Sequence, residues 1–332
     1  MKIRIQSKRK LEDWPSFHLL YEWEDEMIKC IPNAKLKNET FIFKLLEKLV
    51  KRFPSITKPY NLFTDKGKLY LGFELSAKLQ QSFENRKNFI PVIIDFFHSE
   101  NKLERFEQAH SKNPLVLISS KEVYDYLKDK LKRTKIVHWG LSLPDKYKID
   151  GNEKFEKIYD FVLFGRQNKI LLDYLKEYEK KYPNIIYVYE SNEKFHYVNN
   201  LGEYVGYYKG REEYIQLMRT SKMALYSTPG MDNSRQDANG FNQVTPKFLE
   251  YIACGCQLVL RYPHNADTEY YHLGDFCPCI NTFSEFERIV NTYRDTNPNM
   301  KFYAKYLSQH YTSVRVKELK KILSETYGKT IF

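Results

Sequence analysis

Between residues 155 and 300 the chain alternates short apolar runs with helical patterns, and this rhythm restricts the fold more than any other feature of the sequence. Apolar runs stand at residues 158–164, 185–189, 223–227 and 257–261, with weaker ones at 204–208 and 276–280. Between them, residues 169–180 set Ile170, Leu171, Tyr174, Leu175 and Tyr178 at three- and four-residue spacing, and 212–220, 246–254 and 283–293 do likewise. Strands separated by helices of this length predict an α/β fold, a parallel sheet with helices on both faces. Residues 1–150 repeat the alternation less cleanly, with strands expected at 2–6, 90–97, 115–119 and 136–140 and helices at 22–30, 41–52, 102–109 and 123–131. The acidic cluster Glu22, Glu24, Asp25 and Glu26 reads as a solvated helix turn favoured by the helix dipole. Residues 301–327 are helical with no strand after them.

A chain of 332 residues predicts two domains. The polar stretch 144–154 is the expected linker, giving an N-terminal Rossmann-like domain at 1–150, a second at 151–305, and a last helix at 306–332 packing back toward the first. In open sheets of this kind ligands sit at the carboxyl ends of the strands, so the expected site is a cleft between the domains.

Composition narrows the partners. A hydrophobic content of 42% excludes a disordered chain. The net charge of +11 points to phosphate-bearing partners, and it is uneven. Residues 1–150 hold 29 Lys and Arg against 20 Asp and Glu; the remainder holds 24 against 22. Nucleic acid is not the expected partner, because no RNP-like aromatic motif, zinc finger or helix-turn-helix signature is present. The basic N-terminus is followed by no apolar core of a signal peptide, and no apolar run approaches the roughly 20 residues that span a bilayer. The expectation is a cytoplasmic protein, peripheral at most on the inner membrane face, with reduced cysteines. The pairs Cys254/Cys256 and Cys277/Cys279 are spaced too tightly for a usual zinc site and read as small buried residues, so no metal site is expected.

The strongest chemical signal runs from Asn242 to Gly255. Thr245 suits a helix N-cap, Pro246 the first helical position and Gly255 the C-terminal stop, which predicts a helix of about nine residues. Its N-terminus, with Lys247, suits a phosphate, and Glu250 one turn on suits sugar hydroxyls. A nucleotide sugar presents both groups.

This segment resembles the donor-binding helix of GT-B glycosyltransferases, especially the retaining family-4-like and CgeB-like bacterial enzymes of the group 1 glycosyl transferases. Their proline, basic residue, glutamate, alanine and glycine fall on Pro246, Lys247, Glu250, Ala253 and Gly255 here. The resemblance implies that Glu250 binds the donor ribose. Many of these enzymes carry a second glutamate eight positions earlier, where this chain has Asn242, an amide able to meet the donor sugar without a charge. Gly165-Arg166, after the run 158–164, resembles the family's Gly-Arg, whose arginine reaches the diphosphate; Lys169 stands closer to it than the family's lysine does. Tyr208 lies where the family places its base-binding turn, and 231–241 where a loop closes over the donor. The strand 91–97 ending at His98 resembles the family's strand whose histidine faces the reaction centre.

The resemblance therefore implies two Rossmann-like domains facing each other across a cleft. It implies a hexosyltransferase that takes a nucleotide-diphosphate sugar such as a UDP-sugar. Acceptance would be by a bacterial surface glycan (capsule, O-antigen or similar), free or lipid-linked, on an anionic membrane surface. No cofactor is implied. There is no Asp-x-Asp to hold a divalent ion, so metal-independent transfer is expected, and the resemblance implies retention. A polyol-phosphate transferase on the same scaffold, a basic nucleotide- or nucleic-acid-binding protein, and an inactive scaffold remain the alternatives.

Overall fold

The structure, a computed structural model, describes residues 2–53 and 67–328. It divides into two compact units, Met1–Asp145 with Tyr311–Phe332, and Lys146–His310.

The first unit runs β1 (Lys2–Ser7), α1 (Pro15–Cys30), β2 (Lys35–Asn38), α2 (Phe41–Arg52), β3 (Lys68–Ser76), β4 (Phe89–Asp95), α3 (Leu103–His110), β5 (Val116–Ile118), α4 (Lys121–Lys128) and β6 (Ile136–His138). The six strands pair in parallel in the order β2-β1-β3-β4-β5-β6. β4 is central and its first six residues are all buried, as expected of a strand covered on both faces.

The second unit runs β7 (Tyr159–Leu163), α5 (Lys169–Lys181), β8 (Tyr187–Glu190), β9 (His196–Asn199), β10 (Tyr204–Tyr207), α6 (Arg211–Arg219), β11 (Ser221–Ser227), α7 (Lys247–Ala253), β12 (Gln257–Arg261), α8 (Ala266–Tyr270), α9 (Phe283–Asp295) and α10 (Met300–Leu307). Its sheet has the order β10-β9-β8-β7-β11-β12. β8, β7, β11 and β12 are parallel, and β9 turns back antiparallel to both β8 and β10. The chain leaves β7 toward β8 and later returns to its other side as β11. The carboxyl ends of β7 and β11 are thus the switch point of the sheet, where such folds bind ligands.

The last helix, α11 (Thr312–Tyr327), belongs to the first unit. There Lys320 Nζ donates to the Cys30 carbonyl at 3.2 Å, and Trp139 Nε1 donates to the Arg315 carbonyl at 2.8 Å. The boundary after the linker falls at Asp145 rather than 150, and the return at Tyr311 rather than 306. The final residues 329–332 of the expected last helix lie outside the described residues.

Three expectations are corrected. Residues 276–280 form no strand: Pro278 has no N–H to offer a ladder, and only Ile280 donates to β12, at the Leu260 carbonyl. Glu24 is not a solvated residue of a helix turn. It is 2% exposed, bonded by Ser7 and by Arg9 at 3.0 Å, and burial pushes its carboxyl up to about 7. Arg9 divides its charge between Glu24 and Asp25, so desolvation of Glu24 wins. The donor-type helix α7 has seven residues rather than about nine.

Candidate active site

The segment before α7 is fastened at three points in succession. Asn265 Nδ2 donates to the Asn242 carbonyl at 3.2 Å, Val244 N donates to the buried Asp267 at 2.8 Å, and Thr245 N donates to the Tyr226 hydroxyl at 2.9 Å. Pro246 already has helical angles, φ −53° and ψ −28°, and accepts from Glu250 N. The Thr245 hydroxyl does not cap the helix as its sequence position suggested; it lies 3.4 Å from the Tyr226 hydroxyl, and the Thr245 carbonyl accepts from Phe248 N. Burial pushes the Tyr226 hydroxyl up to about 12, and the bonds to Thr245 hold it back from rising further. At the far end, Gly255 takes φ +65°, and a Cβ there would stand 2.8 Å from the Phe155 ring. A side chain would meet both strain and a clash.

So anchored, α7 places Lys247 at the carboxyl end of β7. Its Nζ donates to the Phe164 carbonyl at 2.7 Å. The next residue, Gly165, has φ +59°, and a Cβ built there would lie 3.4 Å from that ammonium. Burial pulls the Lys247 ammonium down from 10.5 to about 8; Glu250 opposes the fall and Arg166 adds to it. Arg166 is exposed on the same turn, and its charge also reaches Asp237.

Glu250 is 4% exposed in a helix whose residues from Phe248 to Ala253 are all buried. Its Oε1 accepts from Arg211 Nη2 at 2.6 Å. Arg211 opens α6, with the rings of Tyr147 and Tyr214 at 5.8 and 5.6 Å from its guanidinium carbon. Tyr214 in turn packs on Phe164 at 4.2 Å between ring centroids. Phe164, Lys247, Glu250, Arg211 and Tyr214 thus close a ring of contacts. The structure brings together Gly165, Arg166, Lys247 and Glu250, which the sequence singled out, and adds Arg211, which it did not. A signal existed: an arginine in the first turn of a helix opposes the dipole, which flags a partner elsewhere.

The remaining candidates are held by other contacts. Tyr208 packs edge-on against Tyr197 at 5.7 Å, donates to the Val205 carbonyl at 3.3 Å and covers Gly206, where a Cβ would come within 2.7 Å of its ring. The Asn242 amide bonds locally: its oxygen accepts from the Thr228 hydroxyl at 2.7 Å and its nitrogen donates to the Gly240 carbonyl at 3.0 Å. His98 belongs to the first unit, just beyond β4, with Nε2 at 2.9 Å from the Ala77 carbonyl and its ring edge-on to Phe96. The loop 231–241, expected to move over the donor, is fastened at its start. Asp232, at φ +54°, takes a two-pronged bond from Arg261 (2.5 and 2.8 Å) and a third from Asn168 Nδ2 at 2.8 Å. These contacts hold the Asp232 carboxyl below the usual carboxylate range.

Cys254, Cys256 and Cys277 are buried, and burial raises each thiol, that of Cys277 to about 11. Among the described residues no three His, Cys, Asp or Glu side chains cluster as a metal ion would require.

A family profile described as glycosyl transferase-like matches residues 153–321, half of the chain. Among solved structures, S. aureus MnaA, determined with UDP, has a TM-score of 0.51 at 9% identity over 99% of this chain and 98% of its own. AviGT4, a glycosyltransferase involved in avilamycin A biosynthesis, has a TM-score of 0.52 at 8% identity over 99% and 98%. At such identities the likeness is one of fold, two α/β units with largely parallel sheets, the GT-B class. No curated protein matches the chain in sequence.

Proposed function

The chain belongs to the glycosyl transferase-like family and is a glycosyltransferase, and from that premise we propose that its second unit binds a nucleoside-diphosphate sugar at the carboxyl ends of β7 and β11. One observation carries the reading: Lys247, one helical turn from Glu250, faces the Gly165-Arg166 turn that follows the central strand β7. In this proposal Arg166 and Lys247 neutralise the departing diphosphate, the work a divalent ion does elsewhere, and Gly165 lets the phosphates approach the backbone. Glu250, whose Oε1 accepts from Arg211, accepts the ribose hydroxyls. The backbone at Thr245–Pro246 flanks the phosphates, and Tyr208 borders the base.

His98 is proposed to bond a hydroxyl of the transferred sugar through Nδ1, since Nε2 addresses Ala77. Asn242 is proposed to act by shaping the loop between Thr228 and Gly240. We propose uridine as the base to test first, because a protein of this fold was solved with UDP. Retention at the anomeric carbon and a bacterial surface glycan as acceptor, free or lipid-linked, complete the proposal and rest on the sequence resemblance.

The test is calorimetry with UDP, GDP, ADP and CDP in the presence of EDTA. One diphosphate should bind, and Glu250→Ala should weaken it at least severalfold. A preference for CDP would favour the polyol-phosphate alternative. Undiminished affinity in Glu250→Ala would remove the assignment of this site.

A further inference from the structure

Helix α2 turns an apolar strip outward. Phe41, Ile42, Leu45, Leu49 and the following Phe53 are between 45% and 68% exposed. At about 100° per residue these five directions fall within one sector of roughly 120°. The inward side of the helix is already engaged: Val50 is fully buried, and Glu47 Oε1 accepts from Phe83 N at 3.0 Å. The strip is therefore not a face that its own core needs. Single exposed apolar side chains are ordinary, but four on one helix and a fifth just past its end mark a contact surface.

The rim of the strip says which surface. Lys44, Lys48 and Arg52 are exposed along one edge, and residues 40–53 hold four basic residues against Glu47 alone. Lys44 pairs with the exposed Glu12 at 2.9 Å, a contact weak enough to yield to a phosphate. The run from Lys128 to Lys135, the densest basic stretch of the sequence, is a poorer candidate, because Lys128 and Lys130 are paired with Asp125 and Glu100.

An apolar strip with a basic edge complements an anionic lipid surface. We propose that α2 is an interfacial helix that docks the first unit on such a membrane. Phe41, Ile42, Leu45, Leu49 and Phe53 enter the boundary between headgroups and acyl chains, and Lys44, Lys48 and Arg52 meet the lipid phosphates. The attachment is peripheral; among the described residues no helix is long and apolar enough to cross a membrane. The proposal does not depend on the nucleotide site.

The experiment is flotation of the full chain with vesicles of phosphatidylcholine alone or with about one-third phosphatidylglycerol, at low and high salt. The wild type should float with the anionic vesicles at low salt and less well at high salt. Leu45→Glu with Leu49→Glu should reduce binding at least about tenfold, and Lys48→Glu with Arg52→Glu should remove its dependence on anionic lipid. Both variants should keep the wild-type circular dichroism and nucleotide affinity. Absence of wild-type flotation at low salt, or unchanged flotation of the leucine variant, overturns the proposal. So does a wild-type dimer in sedimentation equilibrium that the leucine variant turns into a monomer, which would assign the strip to a second copy of the chain.

Discussion

Lys247 should make nucleotide affinity fall as the solution becomes alkaline. Its ammonium sits near pH 8 because burial disfavours the charge and Arg166 repels it. At pH 7 about nine-tenths of the molecules carry this charge and at pH 9 about one-tenth. A bound diphosphate favours the protonated form. The dissociation constant should therefore be flat below about pH 7 and rise above pH 8 by up to roughly tenfold per unit. The nucleotide adds little to this trend, since a terminal phosphate with a second pKa near 6 is already ionised above about pH 7.

The same group has the opposite effect on the unliganded fold. Its folded pKa is depressed, so the unfolded chain binds the proton more tightly than the native one. Its stabilising contribution is present above the unfolded value of 10.5 and lost as pH falls through about 8. The span corresponds to about 3 kcal/mol at most, and to about 1–2 kcal/mol once partial solvent access is allowed for. Lys247→Met should thus bind UDP more weakly, with a flat pH profile, while unfolding at a higher denaturant concentration at pH 7. Calorimetry in two buffers of different ionisation enthalpy should show proton uptake on binding at pH 8.5 in the wild type only. A wild-type affinity unchanged between pH 7 and 9 would refute the placement of the ammonium against the phosphates.

Other consequences follow from single contacts. Glu250→Ala removes the carboxylate that faces the nearly buried Arg211 guanidinium and should destabilise the chain by about 3 kcal/mol in urea unfolding, with much of the loss recovered when Arg211 is also replaced by Met. Glu24, with a folded pKa raised to about 7, contributes stability that is fully present below 4.5 and lost as pH rises through 7. Glu24→Gln should therefore be more stable than the wild type at pH 8 and lose that advantage at pH 5; equal differences at both would contradict the burial argument. Asp232→Ala removes both prongs of the Arg261 bond and should cost about 1–3 kcal/mol and speed proteolytic cleavage within 231–241. In the wild type that contribution persists above the usual carboxylate range and fades as pH falls through the lowered Asp232 value.

What the sequence disclosed depended on how local the determinant was. β7, β11 and the edge strand β12 were legible because each is a short, largely buried apolar run. The edge strand β2, Lys-Leu-Lys-Asn, and the antiparallel β9, His-Tyr-Val-Asn, carry no such run and were missed. The apolar segment 276–280 misled for the converse reason, since apolar character without a ladder partner does not make a strand. In the candidate site, Lys247 and Glu250 were legible because proline and glycine frame their helix. Arg211 and Asp232 were not, because each is defined by a partner 39 or 29 positions away. Glu24 shows the same limit: a carboxylate among carboxylates reads as solvated until the fold brings Ser7 and Arg9 to it.

The most direct measurement is a crystal structure of the chain with UDP, or with whichever diphosphate binds. The diphosphate should lie within about 3 Å of Lys247 Nζ and the Arg166 guanidinium, with a ribose hydroxyl donating to Glu250. A nucleotide bound elsewhere, with Lys247 still on the Phe164 carbonyl and Glu250 engaged by Arg211 alone, would contradict the assignment of this site.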